Sequence, residues 1–88
     1  MNSVTEKAYK ALILDDLEEY EELIQFLSCE LAENPNDIIL LNNRSLAYSE
    51  IGRLTEAFED IEKAYKIDEK CDAVKYNYNS LKRHIENL

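Results

Sequence analysis

The chain has 88 residues, of which 45% are hydrophobic and 33% are charged, and its formal net charge is −9. This is the composition of one globular domain, and it excludes a disordered chain. A domain of this size buries about 60–65% of the surface that its unfolded chain exposes, so a large internal active-site cavity is not expected.

Two helices are predicted in the first part of the chain. Ser3 and Glu6 form a capping box, in which each side chain satisfies a backbone N–H of the other residue, and a helix is expected over residues 4–16. Apolar residues then recur at spacings of three and four from Leu17 to Leu31, which predicts a second helix. Pro35 ends this helix, because proline disfavours helical geometry in the residue before it.

Two more helices follow the proline. Asp37 is expected to cap a third helix that runs to Ile51. Gly52 comes next and is placed to adopt the left-handed conformation that closes a helix. Thr55 is expected to cap a fourth helix that ends near Asp68.

The last predicted helix covers residues 72–88, with Asp72 as its cap and an apolar stripe through Leu88. One Gly and one Pro are too few turn residues for a multi-stranded sheet. Five helices joined by short turns favour antiparallel helix hairpins. The predicted fold class is therefore all-α.

The third and fourth predicted helices contain a recognisable pattern of large, small and turn residues. The segment 38–68 reads IILLNNRSLAYSEIGRLTEAFEDIEKAYKID, and the residues that carry the pattern are Leu41, Ser45, Tyr48, Gly52, Glu56, Ala57 and Ala64. This pattern resembles the tetratricopeptide repeat, a helix–turn–helix unit of about 34 residues. Ala57 is small where two helices of such a unit cross closely. The departures are Arg44, where Leu is usual, and Glu69, where Pro is usual.

A fainter copy of the repeat lies one period earlier. Pro35 falls on the closing proline, and the run YEEL at residues 20–23 resembles the Tyr-x-Glu-Ala of the family. The resemblance implies one domain over residues 1–88, with a first irregular repeat over 4–35, a second repeat over 38–68 and a capping helix over 72–88. A generic helical bundle is the alternative.

The resemblance also implies a function, because the first helix of each repeat in this family lines a concave groove that binds another protein or peptide. By position, the groove residues are Thr5, Tyr9, Leu12, Asn42, Asn43, Leu46, Ser49, Tyr76, Asn77, Ser80 and Arg83. Tyrosine supplies rigid contact area, and asparagine hydrogen-bonds to extended backbone. We therefore expect a non-catalytic adaptor that binds a partner protein.

One subset of the family grips the acidic tails of heat-shock chaperones with a clamp of Lys, Arg and Asn side chains. The clamp positions in this chain are Thr5, Tyr9, Asn43, Ala73 and Asn77, and only Asn43 keeps the clamp residue. Cations and amides are what hold a terminal carboxylate. We expect no binding of such tails, because the cations are missing.

The negative charge is concentrated between Ala11 and Asn43, a stretch with nine acidic residues and no Lys or Arg. Such a surface repels nucleic acid and anionic membrane and attracts basic partners. The alternative function is therefore a small acidic inhibitor, such as a bacterial immunity protein or antitoxin, that covers the basic active site of a toxin such as a nuclease. Its candidate binding residues are Asp15, Asp16, Glu18, Glu19, Glu21 and Glu22. A solvated helix face is the third interpretation.

Nothing in the sequence resembles a catalytic or metal-binding constellation. There is one histidine, His84, and there are two cysteines, Cys29 and Cys71, which lie far apart and are expected to be buried free thiols. No Gly-rich loop, clustered metal ligands or calcium-loop pattern is present. We expect no enzymatic activity, no metal and no cofactor.

The remaining expectations concern location and assembly. No apolar run approaches the ~20 residues that span a bilayer, and residues 1–10 lack the apolar stretch of a secretion signal. These observations favour a cytoplasmic protein without membrane contact. Short repeat arrays expose stacking ends, so self-association through the C-terminal helix, by the stripe of Leu81, Ile85 and Leu88, is a further possibility.

Overall fold

The computed structural model describes residues 16–88, and within this range it contains four α-helices and no strand. They are α1 (Asp16–Glu33), α2 (Ile38–Glu50), α3 (Leu54–Ile67) and α4 (Asp72–Glu86). The all-α class is confirmed. The sequence predicted five helices. The first of these was expected over residues 4–16, and its residues up to 15 lie outside the described range.

Each helix packs against the next one in the chain, and α2 also touches α4. The connections are three or four residues long, which makes neighbouring helices antiparallel. One core cluster joins all four helices and is built from Leu31, Leu41, Ala57, Ile61, Ala64, Val74 and Leu81. The helix α2 is therefore the centre of the arrangement, with α1, α3 and α4 around it.

Small residues lie where α2 meets α3. The hydroxyl of Ser45 is buried and donates a hydrogen bond of 2.7 Å to the backbone carbonyl of Ala57, which is itself fully buried. The bond joins a side chain of one helix to the backbone of the other, so it holds the two helices close together. A larger side chain at Ala57 would force them apart, because helix interfaces are packed as densely as crystals.

Two of the predicted helix ends are confirmed. Asp37 caps α2, and its carboxylate accepts hydrogen bonds from the backbone N–H groups of Ile39 and Leu40. Gly52 has a φ of +80°, the left-handed conformation expected of it after the end of α2.

The predicted caps of the last two helices are wrong, by two positions for α3 and by one for α4. Thr55 lies inside the first turn of α3, whose cap position is Arg53, because the backbone N–H of Arg53 closes the preceding turn on the carbonyl of Tyr48. Asp72 is the first residue of α4, and the cap position is Cys71. A carboxylate in the first turn still stabilises a helix through its dipole, so Asp72 contributes there without capping.

Aromatic rings join α3 to α4. The rings of Tyr65 and Tyr78 stack with 4.4 Å between their centroids, and the rings of Phe58 and Tyr78 lie 5.7 Å apart. Such pairs contribute about 0.5–1.5 kcal/mol beyond the burial of their surface. The cluster fixes the position of α4, on which one side of the candidate site depends.

An ion pair joins α2 to α3 beside the core. Arg44 donates two hydrogen bonds to the carboxylate of Asp60, over 2.6 and 2.7 Å, and a third over 3.0 Å to the hydroxyl of Ser28 on α1. The Asp60 carboxylate is buried, and its hydrogen bonds raise the pKa of Arg44 above the ordinary value although partial burial acts in the opposite direction. Three helices therefore meet at one guanidinium group.

We expect the change Arg44→Leu to lower the free energy of unfolding by roughly 3 kcal/mol, because it leaves the buried carboxylate of Asp60 without a cation. The double change Arg44→Leu with Asp60→Leu removes both charges, and its stability should lie within about 1 kcal/mol of the unmodified protein. Urea denaturation of the three proteins measures both values. A double variant that is as unstable as Arg44→Leu would show that the ion pair is not what the single change disrupts.

Candidate protein-binding cleft

A cleft of about 220 Å³ lies between α2 and α4. The residues that line it are Ser45, Leu46, Ser49, Asn77, Ser80, Leu81 and His84. Hydroxyl and amide groups alternate there with two leucines, and none of the lining residues is acidic. The cleft offers hydrogen bonds and a small apolar surface to whatever enters it.

Two amide side chains connect the helices at this cleft. The Nδ2 group of Asn77 on α4 donates a hydrogen bond of 2.7 Å to the Oδ1 atom of Asn42 on α2. Each amide has both donors and an acceptor, so the pair keeps the amino group of Asn42 and the carbonyl of Asn77 for other partners. A neighbouring donor and acceptor are what an extended peptide backbone requires.

Leu46 forms the outer edge of the cleft, with 44% of its surface exposed. The same side chain also lines a second cavity of about 380 Å³ between α1 and α2, which we call the apolar pocket. The apolar pocket is lined by Tyr20, Leu23, Leu27, Asn43, Leu46, Ala47 and Glu50. Leu46 is thus the wall between a polar cleft on one side of α2 and an apolar pocket on the other.

The structure brings together five of the groove residues suggested by the sequence: Asn42, Leu46, Ser49, Asn77 and Ser80. Asn43 lines the apolar pocket on the other side of α2, because adjacent helical residues point about 100° apart. Tyr76 is 73% exposed and, like Arg83, is not among the lining residues of the cleft. Thr5, Tyr9 and Leu12 lie outside the described residues.

Sequence reasoning missed three lining residues of the cleft, Ser45, Leu81 and His84. The signal for His84 was available, since it follows Asn77 by two turns and Ser80 by one, and residues at such spacings share a helix face. His84 is exposed near the end of α4 and also borders the cleft.

The acidic residues of the alternative site lie on α1, which contains seven acidic residues and no Lys or Arg. Asp15 lies outside the described residues, and Asp16 begins the helix. Glu18, Glu19, Glu21 and Glu22 follow within little more than one turn, and at about 100° per residue they lie within about one half of the helix circumference. The pKa of Arg53 is raised, chiefly by its hydrogen bond with Glu56 and to a smaller extent by the charge of Glu21.

The described residues contain no group of three His, Cys, Asp or Glu side chains arranged to hold a metal ion. Cys29 and Cys71 are both free, as expected, but Cys29 is exposed although a buried thiol was predicted. Its position on α1 is outside the apolar stripe of that helix, so the prediction of burial was wrong. None of the helices between residues 16 and 88 is long and apolar enough to cross a membrane.

A comparison with protein-family models matches residues 39–71 to the tetratricopeptide repeat. This segment is a tetratricopeptide repeat. For these residues, the match confirms the resemblance seen in the sequence. In the repeat, α2 is the first helix and α3 the second, and α4 begins directly after the matched residues. No curated protein matches the chain, and no solved structure does.

Tetratricopeptide repeats are protein–protein interaction modules. The cleft described above involves the first helix of the repeat, α2, and the helix that follows the repeat, α4. The clamp positions for chaperone tails that fall in the described residues are occupied by Asn43, Ala73 and Asn77, none of which is a cation. The absence of binding to such tails stays a prediction.

Proposed function

We propose that this protein is a non-catalytic adaptor that holds an extended segment of a partner protein in the cleft between α2 and α4. The observation that carries the proposal is the hydrogen bond between Asn42 and Asn77, which sets an amide pair beside the exposed side chain of Leu46. Amides can bond to the backbone of the segment, and Leu46 can pack against one of its apolar side chains.

The size of the cleft supports a peptide segment over a small molecule. Its volume of about 220 Å³ is below the roughly 300–1,000 Å³ of sites that enclose a drug-sized ligand. One or two side chains of a partner fit such a volume while the rest of the segment runs along the surface. His84 is the one ionisable residue among those that line the cleft. A general acid–base reaction that needs a second titratable side chain does not find one among them.

The first test uses Leu46→Arg in the full chain against a partner captured from the source organism. We expect the affinity to fall at least about tenfold, because a charged side chain then replaces an apolar contact at the edge of the cleft. The matched control is Ile67→Arg on α3, since Ile67 is also 44% exposed and does not line the cleft. Isothermal titration at two salt concentrations measures both affinities, and the unmodified protein should respond little to salt.

A second pair of variants tests the amides. We expect Asn77→Ala to weaken the same partner about three- to tenfold, because one hydrogen-bonding group of the cleft is lost. Asn79→Ala on the exposed side of α4 is its control and should bind normally. Thermal denaturation of each variant shows whether the fold is intact. Equal affinity of Asn77→Ala and Asn79→Ala, both folded, would contradict the proposed site.

The second candidate function is the acidic inhibitor, and the charge of α1 favours it. The helix combines seven acidic residues with no basic one, and Phe26 on the same helix is 61% exposed. An aromatic side chain among like charges is suited to anchor a basic surface while the charges speed its approach. On this account the outer face of α1 covers the basic active site of a toxin.

This candidate predicts that changing Glu18, Glu19, Glu21 and Glu22 together to Gln weakens the captured partner and removes a steep salt dependence of association. The matched control changes Glu50, Glu59, Glu69 and Glu86 to Gln, four exposed acids outside α1 with the same change in net charge. Stopped-flow association rates compare the two sets. Rates that fall equally in both would point to net charge rather than to α1.

A further inference from the structure

A third cavity, of about 260 Å³, lies at the junction of α1, α2 and α3. We call it the cationic pocket, and it is lined by Ser28, Leu31, Ala32, Pro35, Leu41, Arg44 and Lys63. Two of the ten Lys and Arg residues of the chain therefore line one small cavity, and none of its lining residues is acidic. None of them belongs to α4, so the cationic pocket is separate from the cleft between α2 and α4.

The guanidinium group of Arg44 has donors to spare. It carries five N–H groups, and three of them are used in the hydrogen bonds to Asp60 and Ser28. Two N–H groups are left for another acceptor. The hydroxyl of Ser28 accepts one of the three bonds, so its own O–H can donate to the same acceptor. Donors without acceptors beside them favour an oxyanion.

Lys63 supplies a charge that no ion pair neutralises. Asp60 is committed to Arg44, and its side chain is 8% exposed. Lys63 forms no ion pair with another described residue, whereas Lys66 on the same helix pairs with Glu62. Arg44, Asp60 and Lys63 together carry one net positive charge, which suits a ligand with a single negative charge.

The other four lining residues, Leu31, Ala32, Pro35 and Leu41, are apolar. Leu31 and Leu41 belong to the core cluster that joins the helices, so packing fixes this half of the cavity. The volume is below the roughly 300–1,000 Å³ of sites that enclose a drug-sized molecule. A ligand that fills both halves therefore combines one anionic group with a chain of a few carbon atoms.

We propose that the cationic pocket binds a short aliphatic carboxylate. Its oxygens are held by Arg44, Ser28 and Lys63, and its carbon chain packs against Leu31 and Leu41. A Leu is usual in the repeat family where Arg44 stands, so this site is a property of this chain rather than of the repeat. A free acid and a glutamate side chain of another protein both present the required group at the end of a short carbon chain.

The first test titrates the full chain, labelled with ¹⁵N and with ¹³C at its methyl groups, with sodium butyrate. Sodium chloride is lowered in step, so that the ionic strength stays constant. We expect saturating shifts of the Arg44 Nε–H signal and of the Leu31 and Leu41 methyl signals, with a Kd on the order of millimolar. Shifts of these signals that do not saturate would overturn the proposal.

Acetate and butyramide separate the two halves of the pocket. Acetate keeps the charge and should bind at least about threefold more weakly than butyrate, because its shorter chain leaves the apolar half unfilled. Butyramide keeps the chain but lacks the charge, and it should give no saturating shifts over the same concentrations. Butyrate that binds no more tightly than either compound would overturn the proposal.

The second test removes one cation in the full chain. We expect Lys63→Gln to weaken butyrate at least about fivefold, because the ammonium group no longer attracts the carboxylate. The matched control is Lys66→Gln on the same helix, which makes the same change in net charge and should weaken butyrate by less than about twofold. Thermal denaturation shows that both variants are folded. Equal weakening in the two folded variants would point to overall charge and overturn the proposal.

A capped glutamate, N-acetylglutamate N-methylamide, identifies the source of the carboxylate, because it has three carbon atoms behind the carboxyl group, as butyrate does. Binding at least as tight as that of butyrate would support the proposal with a glutamate of another protein as the ligand. Weaker binding, with butyrate bound, would support it with a free acid. No measurement here involves the partner of the α2–α4 cleft, so a negative result leaves the proposed adaptor function untouched.

Discussion

The hydrogen bond from Ser45 to the backbone carbonyl of Ala57 is the constraint on which the arrangement of helices depends. It fixes α2 against α3 and thereby decides where every other side of α2 points, because neighbouring residues of a helix lie about 100° apart. Arg44 then points toward α1 and Asp60, Asn42 points toward α4, and Leu46 is left at the surface between them. One helix therefore organises both the fold and the candidate binding face. Because of the rotation between neighbouring residues of α2, Arg44 holds the helices together while Leu46 stays available to a partner.

The ion pair of Arg44 and Asp60 gives this repeat a feature of its own. A Leu is usual in the family where Arg44 stands, and a guanidinium group at that place requires the buried carboxylate of Asp60 to neutralise it. The third hydrogen bond, to Ser28, ties α1 to the same group. A directional contact fixes the rotation of α1 relative to α2 more closely than an apolar contact does, since hydrogen bonds depend on angle as well as distance.

Periodicity predicted the helices α1 to α4 well, because burial of one face leaves a pattern that is local in sequence. The caps of α3 and α4 were missed because each depends on how the preceding turn closes, as with Arg53 on Tyr48. The position of Asn42, Leu46 and Asn77 in the candidate site followed from repeat register alone. The pairing of Arg44 with Asp60 did not, since it joins residues sixteen positions apart whose meeting depends on the crossing of α2 and α3. Repeat register also suggested Tyr76 as a groove residue, but Tyr76 does not line the cleft, because an error of one helical position moves a side chain out of it.

The central claim is that the partner lies in the cleft between α2 and α4, and the side-chain amide resonances of Asn42 and Asn77 report on it most directly. In the full chain labelled with ¹⁵N, titration with the captured partner should shift these two amide pairs, because their remaining donor and acceptor become bonded. The backbone signals of the outer face of α1, around Phe26, should move little. Shifts confined to α1, with the Asn42 and Asn77 side chains unchanged, would contradict the claim.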